Sequence, residues 1–254
     1  MSATTPMETE DQAAKRTNLE TADPRWKELY TVGGIACTAG VIIIVLGVVG
    51  YIIWPYAPGV TSTANVFAGI QNNWLGELIA LDFLLLLGNL TFIPVFVALY
   101  VALKRVNESY ALIALVLGLI GLAAIIPSRP IAEMFSLSNL YAAAKTDAEK
   151  SQYLAAGEAL LPLFSGTGWI VNTFLGTISL LTSAFLMLRS NIFSKATAYV
   201  GLATNIVTLG FFLPGIGIIL LFLSLPGMLI WDIQLARRFF QLASLARKAL
   251  PQQS

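Results

Sequence analysis

YTVGGIACTAGVIIIVLGVVGYIIW, residues 30–54, is an apolar run without one charged side chain. As an α-helix rising 1.5 Å per residue it covers about 37 Å, more than the roughly 30 Å of a bilayer's hydrocarbon core. Windows of the same kind recur along the chain. They predict spans at about 30–54, 74–103 (with Pro94 inside), 110–127, 166–188, 196–213 and 215–236 (with Pro226 inside). The last two are divided only by the turn at Pro214-Gly215. The expected fold is all-α, a polytopic transmembrane bundle of six helices with a helical exterior segment at about 128–165, between spans three and four.

Composition supports this and removes whole classes of function. Of 254 residues 57% are hydrophobic and 11% charged, where a soluble domain has about 25% charged; mean hydropathy is +0.76. The net charge of +1 gives no concentrated basic face for phosphates, so nucleic acid is not an expected partner. There is no histidine and one cysteine, Cys37. Histidine-ligated metals, bis-histidine haem, Ser-His-Asp and Cys-His catalysis and an internal disulfide are thereby excluded. A carboxylate metal site from Glu77, Asp82, Glu133 and Glu158 lacks the Glu-x-x-His pairs of bundle di-iron sites. No metal or cofactor is expected.

Lys and Arg set the orientation, because cytoplasmic loops retain positive charge. In a six-span arrangement Lys15, Arg16, Arg25, Lys27, Lys104, Arg105, Arg189, Lys195, Arg237, Arg238, Arg247 and Lys248 share one side, and Arg129, Lys145 and Lys150 the other. Twelve against three puts both termini on the cytoplasmic side of the membrane. Residues 1–27 read as a disordered polar cytoplasmic tail, 28–245 as the membrane domain and 246–254 as a C-terminal cytoplasmic tail. Arg237, Arg238, Arg247 and Lys248, interleaved with Phe239, Phe240 and Leu242, predict a basic amphipathic stretch lying on anionic lipid. Trp54, Tyr56, Trp74, Tyr110 and Trp231 fall near expected helix ends as an aromatic belt.

The exterior segment has signals of its own. Thr146 followed by Glu149 is a capping box that opens a helix through Tyr153, Leu154 and Leu160. Before it Ile131, Met134, Phe135, Leu137 and Tyr141 share one helical face. The two predict a helical hairpin. A further short helix is expected around Ala64–Gln71, in a connection without Lys or Arg.

Ionisable residues within a membrane are costly and are the natural site candidates. Asp82 lies about two turns along the second span from Trp74, roughly 12 Å at 1.5 Å per residue, with Asn89 seven residues on and nearly on the same face. Glu77 sits nearer the exterior rim. Arg129, between Pro127 and Pro130, is the natural counter-ion. Asp82, Asn89, Arg129 and Glu77, with Asn172 of span four, are therefore the candidate ligand-binding set. They make either an exterior polar chamber with Asp82 as floor and Arg129 as lid, or a structural ion pair. Ser165, Gly168, Asn172, Gly176, Ser179 and Ser183 recur at intervals of three and four, a small polar face suited to close helix packing or to lining a cavity. Asp232 is expected to pair structurally with Arg237 or Arg238, or with the loop cations Arg189 and Lys195.

VALYVALKRVN (97–107), LSNLYAAAKTDAEKSQYLAAGEALL (137–161), LMLRSNIFSKATAYVGLAT (186–204) and LPGMLIWDIQLARRF (225–239) together resemble the DUF4386 family of bacterial and archaeal membrane proteins. The resemblance covers roughly residues 28–245 in order. It implies a six-helix, multi-pass protein of a prokaryotic cell (inner) membrane and brings no established activity, so no site residues carry over. The expected function is a non-enzymatic ligand-binding or accessory membrane subunit, with membrane lipids and a second copy or a partner membrane subunit as company. The competing readings are a small-molecule or proton-coupled transporter using Asp82 and, less favoured for want of an activated nucleophile, an intramembrane enzyme.

Overall fold

In a computed structural model that describes residues 24–248, every regular element is helical. The chain runs α1 (Lys27–Ile53), α2 (Thr63–Asn72), α3 (Trp74–Ala80), α4 (Phe83–Leu103), α5 (Glu108–Ile125), α6 (Ile131–Ala143), α7 (Asp147–Leu160), α8 (Thr167–Arg189), α9 (Lys195–Leu209) and α10 (Gly217–Lys248), with short 3-10 turns between several of them. The two tails expected at 1–27 and 246–254 lie almost wholly outside the described residues.

Five helical stretches among the described residues are long and apolar enough to cross a membrane. Their surfaces carry the apolar side chains that water would reject: Ile35, Ile42, Leu46 and Ile52 of α1 and Ile219, Phe222 and Leu223 of α10 are each more than half exposed. The fifth expected span, about 196–213, is the weak one. Its α-helix, α9, has 15 residues and ends in the 3-10 turn Gly210–Phe212.

The second expected span is not one helix. α3 stops at Ala80, Asp82 takes a left-handed φ of 66°, and α4 starts at Phe83. Aspartate is among the few residues that tolerate this conformation, which costs other L-residues roughly 1–2 kcal/mol. The break is well bonded on both sides. Asp82 N–H donates to Ile79 O at 3.1 Å, and Asp82 O accepts from Leu86 N at 2.9 Å.

The chain packs into two compact units. One takes the residues up to Thr38, Phe92–Val116 and those from Thr177 on; the other takes Ala39–Thr91 and Leu117–Gly176. In the first, α10 continues to Lys248 without interruption, and this corrects the expected lipid-lying tail. Phe239 and Leu242 are fully buried, with Phe239 stacked on Tyr30 of α1 at 6.3 Å. Trp231, expected in an interfacial belt, is also buried, against Gly201 of α9.

In the second unit the predicted hairpin is present. Thr146 and Glu149 form both halves of the capping box at the start of α7; the backbone N–H groups of Lys145 and Thr146 donate to the Glu149 carboxylate and hold its pKa below the ordinary glutamate value. The hairpin packs on α2, whose Val66, Phe67 and Ile70 join Ile131, Met134 and Phe164 in one core. Full burial of a side chain such as Phe67 stabilises by about 1.5–3 kcal/mol. Polar contacts fix the register: Ser138 Oγ donates to Phe67 O at 3.0 Å, and Gln71 Nε2 donates to Ser138 Oγ at 3.0 Å and to Asn139 Oδ1 at 2.9 Å. The helical cluster thus includes the 55–73 connection as well as the predicted 128–165 segment.

Candidate functional site

The break before α4 determines where Asp82 sits. Had the helix run straight through, its carboxylate would have followed the helical face shared with Asn89. The left-handed turn instead leaves it at the mouth of α4, where the helix dipole favours a negative charge. Arg129 reaches the same point from the Pro127–Pro130 corner after α5. Its Nε lies 2.8 Å from Asp82 Oδ2, with the N–H not aimed along the contact, so the attraction is chiefly Coulombic.

The rest of the guanidinium is tightly enclosed. Nη1 donates to Phe164 O at 2.8 Å and to the carbonyl and hydroxyl oxygens of Ser128 at 3.1 Å each. The cation also lies 5.6 Å from the Phe164 ring centre and 5.1 Å from that of Trp169, within cation–π range. On the other side Tyr51 of α1 donates its hydroxyl to Asp82 Oδ1 in a short hydrogen bond, and Tyr56 meets Tyr51 edge to face at 6.2 Å. Burial, with the Asp82 charge adding to it and Arg129 opposing, pushes the Tyr56 phenol up to about 12.

The acid and its base are therefore a closed pair. Asp82 is 3% and Arg129 5% exposed, and the pair is not the floor and lid of an open chamber. Tyr51 is the member that sequence reading missed. Pattern alone gives little sign of it, since it sits in an apolar run at a distance of 31 residues from its partner. Tyr51→Phe should reduce stability by about 1.5–3 kcal/mol, the range for a hydrogen bond to a charged group, in urea or SDS unfolding; an unchanged midpoint would show that the hydroxyl does not hold the carboxylate.

The other candidates do not join this pair. Asn89 spends its amide on Leu85 O, one turn back in α4, at 2.9 Å. Glu77 of α3 is half-buried with Oε1 unpartnered, and its other oxygen lies against Gly69 of α2. Asn172 is buried on the face of α8 that meets Gly121 of α5, where a Cβ on the glycine would fall 3.3 Å from Asn172 O. The small polar stripe of α8 is accordingly a packing face. Further along it, Ser179 Oγ donates to Ala114 O and Ser183 Oγ to Ser179 O.

The expected pairing of Asp232 with Arg237 or Arg238 is absent. Neither Asp232 oxygen has a hydrogen-bond partner, and Arg238 donates to Gln241 instead. Helix geometry explains this. At 100° per residue, positions five and six along from Asp232 are turned about 120–140° away from it, so Asp232 faces inward while Arg237 is exposed.

An open depression lies elsewhere in the second unit. It encloses about 400 Å³ and is lined by Gly59, Thr61, Ser62, Thr63, Glu158, Leu161, Pro162 and Ser165. Its wall is mostly polar at the α2 end, where Ser62 caps α2 through Asn65 N at 3.3 Å, and mixed at the end of α7. Glu158 is exposed on its rim. Among the described residues no group of three or more Cys, Asp and Glu is arranged to hold a metal ion.

A family model described as "Domain of unknown function (DUF4386)" matches residues 35–236. No curated protein and no solved structure matches the chain.

Proposed function

The chain belongs to the DUF4386 family, and on that premise we propose that it is a six-span integral membrane protein that works by binding rather than by chemistry. Its helical cluster of α2, α6 and α7 lies on the exterior side and takes up a small amphipathic ligand or a segment of a partner subunit. The observation that carries this reading is the 400 Å³ depression, which falls in the size range of small-molecule sites, about 300–1,000 Å³. It combines hydroxyls and one free carboxylate with the apolar edges of Leu161 and Pro162.

The six-span count draws on α9. With the 3-10 turn that follows it, α9 covers about 28 Å, close to the hydrocarbon thickness. The twelve-to-three division of Lys and Arg then supports cytoplasmic termini in a prokaryotic cell membrane. The closed Asp82–Arg129 pair fits a clamp that holds the cluster in place.

The test is native mass spectrometry of the protein taken directly into lipid nanodiscs. The wild type should carry an added lipid-like ligand or subunit. Ser165→Phe, which fills the depression, should lose it while keeping the wild-type unfolding midpoint. A wild type that carries nothing, or a filled variant that retains the same mass, would sink the reading.

A proton-coupled carrier is the second reading, and the break of the second span at Asp82 favours it, because discontinuous helices build the ion sites of many transporters. It requires pH-dependent flux in proteoliposomes that Asp82→Asn abolishes.

A further inference from the structure

Among the described residues of the first unit, Asp232 is a buried carboxyl with no hydrogen-bond or ion-pair partner. It is 1% exposed, and both carboxyl oxygens lack a hydrogen-bond partner. Around it α10 presents Trp231, Leu235 and Ala236, all buried. α9 closes in through Gly201, where an added Cβ would sit 2.6 Å from Trp231 Nε1. In the same unit α1 contributes a buried free thiol, Cys37.

The cations of the surrounding elements are committed or turned away. Lys195 Nζ donates to Leu188 O and Arg189 lies over the Phe185 ring at 4.7 Å. Arg238 donates Nη1 to Gln241 and keeps a buried, unpartnered Nε on a face turned about 120° from Asp232, Arg247 reaches Thr31 at 3.4 Å, and Lys104 lies over Trp26 at 5.3 Å. Lys27 is 3.9 Å from Glu28, Arg25 and Arg105 have interactions of their own, and Arg237 is exposed.

An ionised carboxylate so enclosed, with neither cation nor donor, costs several kcal/mol, and the ordinary escape is to take up a proton. A metal cation is a poorer solution. It would need several oxygen ligands, and among the described residues of the first unit the one other buried, unpartnered side-chain oxygen is Gln234 Oε1, while Asn205, Thr208 and Ser224 donate to carbonyls of their own helices.

We propose that Asp232 is a proton-binding site, a carboxylic acid that holds its proton at neutral pH inside the packed helices of the first unit. The step is minimal: one proton adds to one carboxylate oxygen and no other bond changes. Asp82 differs in its surroundings, because a cation, Arg129, and a hydroxyl donor, Tyr51, face its carboxyl.

Infrared spectroscopy of the full chain in lipid nanodiscs tests this without requiring reagent access. At pH 7 the wild type should show the C=O stretch of a protonated carboxylic acid, shifted downward in D₂O and shifted again when aspartate carries ¹³C at its side-chain carboxyl. Asp232→Asn should remove the band and Asp82→Asn should leave it. Should Asp232→Asn fail to fold, Asp232→Glu is the second variant: its band should escape the ¹³C-aspartate shift and answer to ¹³C-glutamate. The proposal is overturned by a wild type with no such band at pH 7, by a band that Asp232→Asn leaves in place, or by a band that Na⁺ or K⁺ abolishes relative to choline, which would make this a cation site.

Discussion

Arg129→Met should cost about 3–5 kcal/mol of stability, because it leaves the Asp82 carboxylate buried without its cation. Tyr51 remains as a donor to one oxygen only. Asp82→Asn should cost less. It keeps a side chain that tolerates the left-handed backbone, and the abandoned guanidinium still has the oxygens of Phe164 and Ser128 and two aromatic faces. The double variant removes both charges and should recover most of the Arg129→Met loss, giving a coupling of about 2–3 kcal/mol between the positions. Unfolding by SDS or urea in mixed micelles measures all three. Losses that simply add would mean that the contact between Asp82 and Arg129 has no energetic weight. If the double variant regains stability and the protein keeps its bound ligand, the pair is a clamp; if it regains stability but flux is abolished, the carrier reading gains.

Much of this clamp was legible in the sequence, and what was not has a physical reason. Charges are so rare within the apolar windows that Asp82 and Arg129 stood out, and the charge asymmetry assigned them to the same side of the chain. The pairing then followed from cost alone. The helix break did not, because hydropathy averages over about 19 residues and IALDFLLLL remains apolar across it. A single left-handed residue changes a side chain's direction without changing the window. That same break separates Asp82 from Asn89, whose shared face had been inferred from an uninterrupted helix.

Asp232 shows the opposite failure. Proximity in sequence to Arg237 and Arg238 suggested a pair, whereas angular position on the helix forbids it. The capping box at Thr146 and Glu149 was readable because a cap is a local contact over three residues. The contribution of α2 to the same core as the hairpin was not, since it depends on partners about 70 residues away: Phe67 against Tyr141, with ring centres 5.6 Å apart.

Gly168→Leu and Gly176→Leu should separate sharply, although both glycines belong to the one small-residue stripe of α8. A Cβ on Gly168 would fall 2.5 Å from Ala124 O and 2.6 Å from Ser128 Cβ. The first of these is backbone, which cannot rotate aside, so even Gly168→Ala forces α5 and α8 apart. Overpacking of this kind costs typically about 1–3 kcal/mol. Leucine at 168 should reach the upper end or exceed it, because Ser128 also holds Arg129 and its displacement disturbs the clamp. Gly176 has no atom within 4 Å of its would-be Cβ. There alanine should stabilise by several tenths of a kcal/mol through helix propensity, up to about 1, and leucine should cost less than alanine does at 168. Unfolding midpoints of the four variants decide it. Equal losses at the two positions would mean that the stripe acts through composition alone. Opposite signs for the two alanines would show that close backbone approach at Gly168 is what aligns the Pro127–Pro130 corner and brings Arg129 within reach of Asp82.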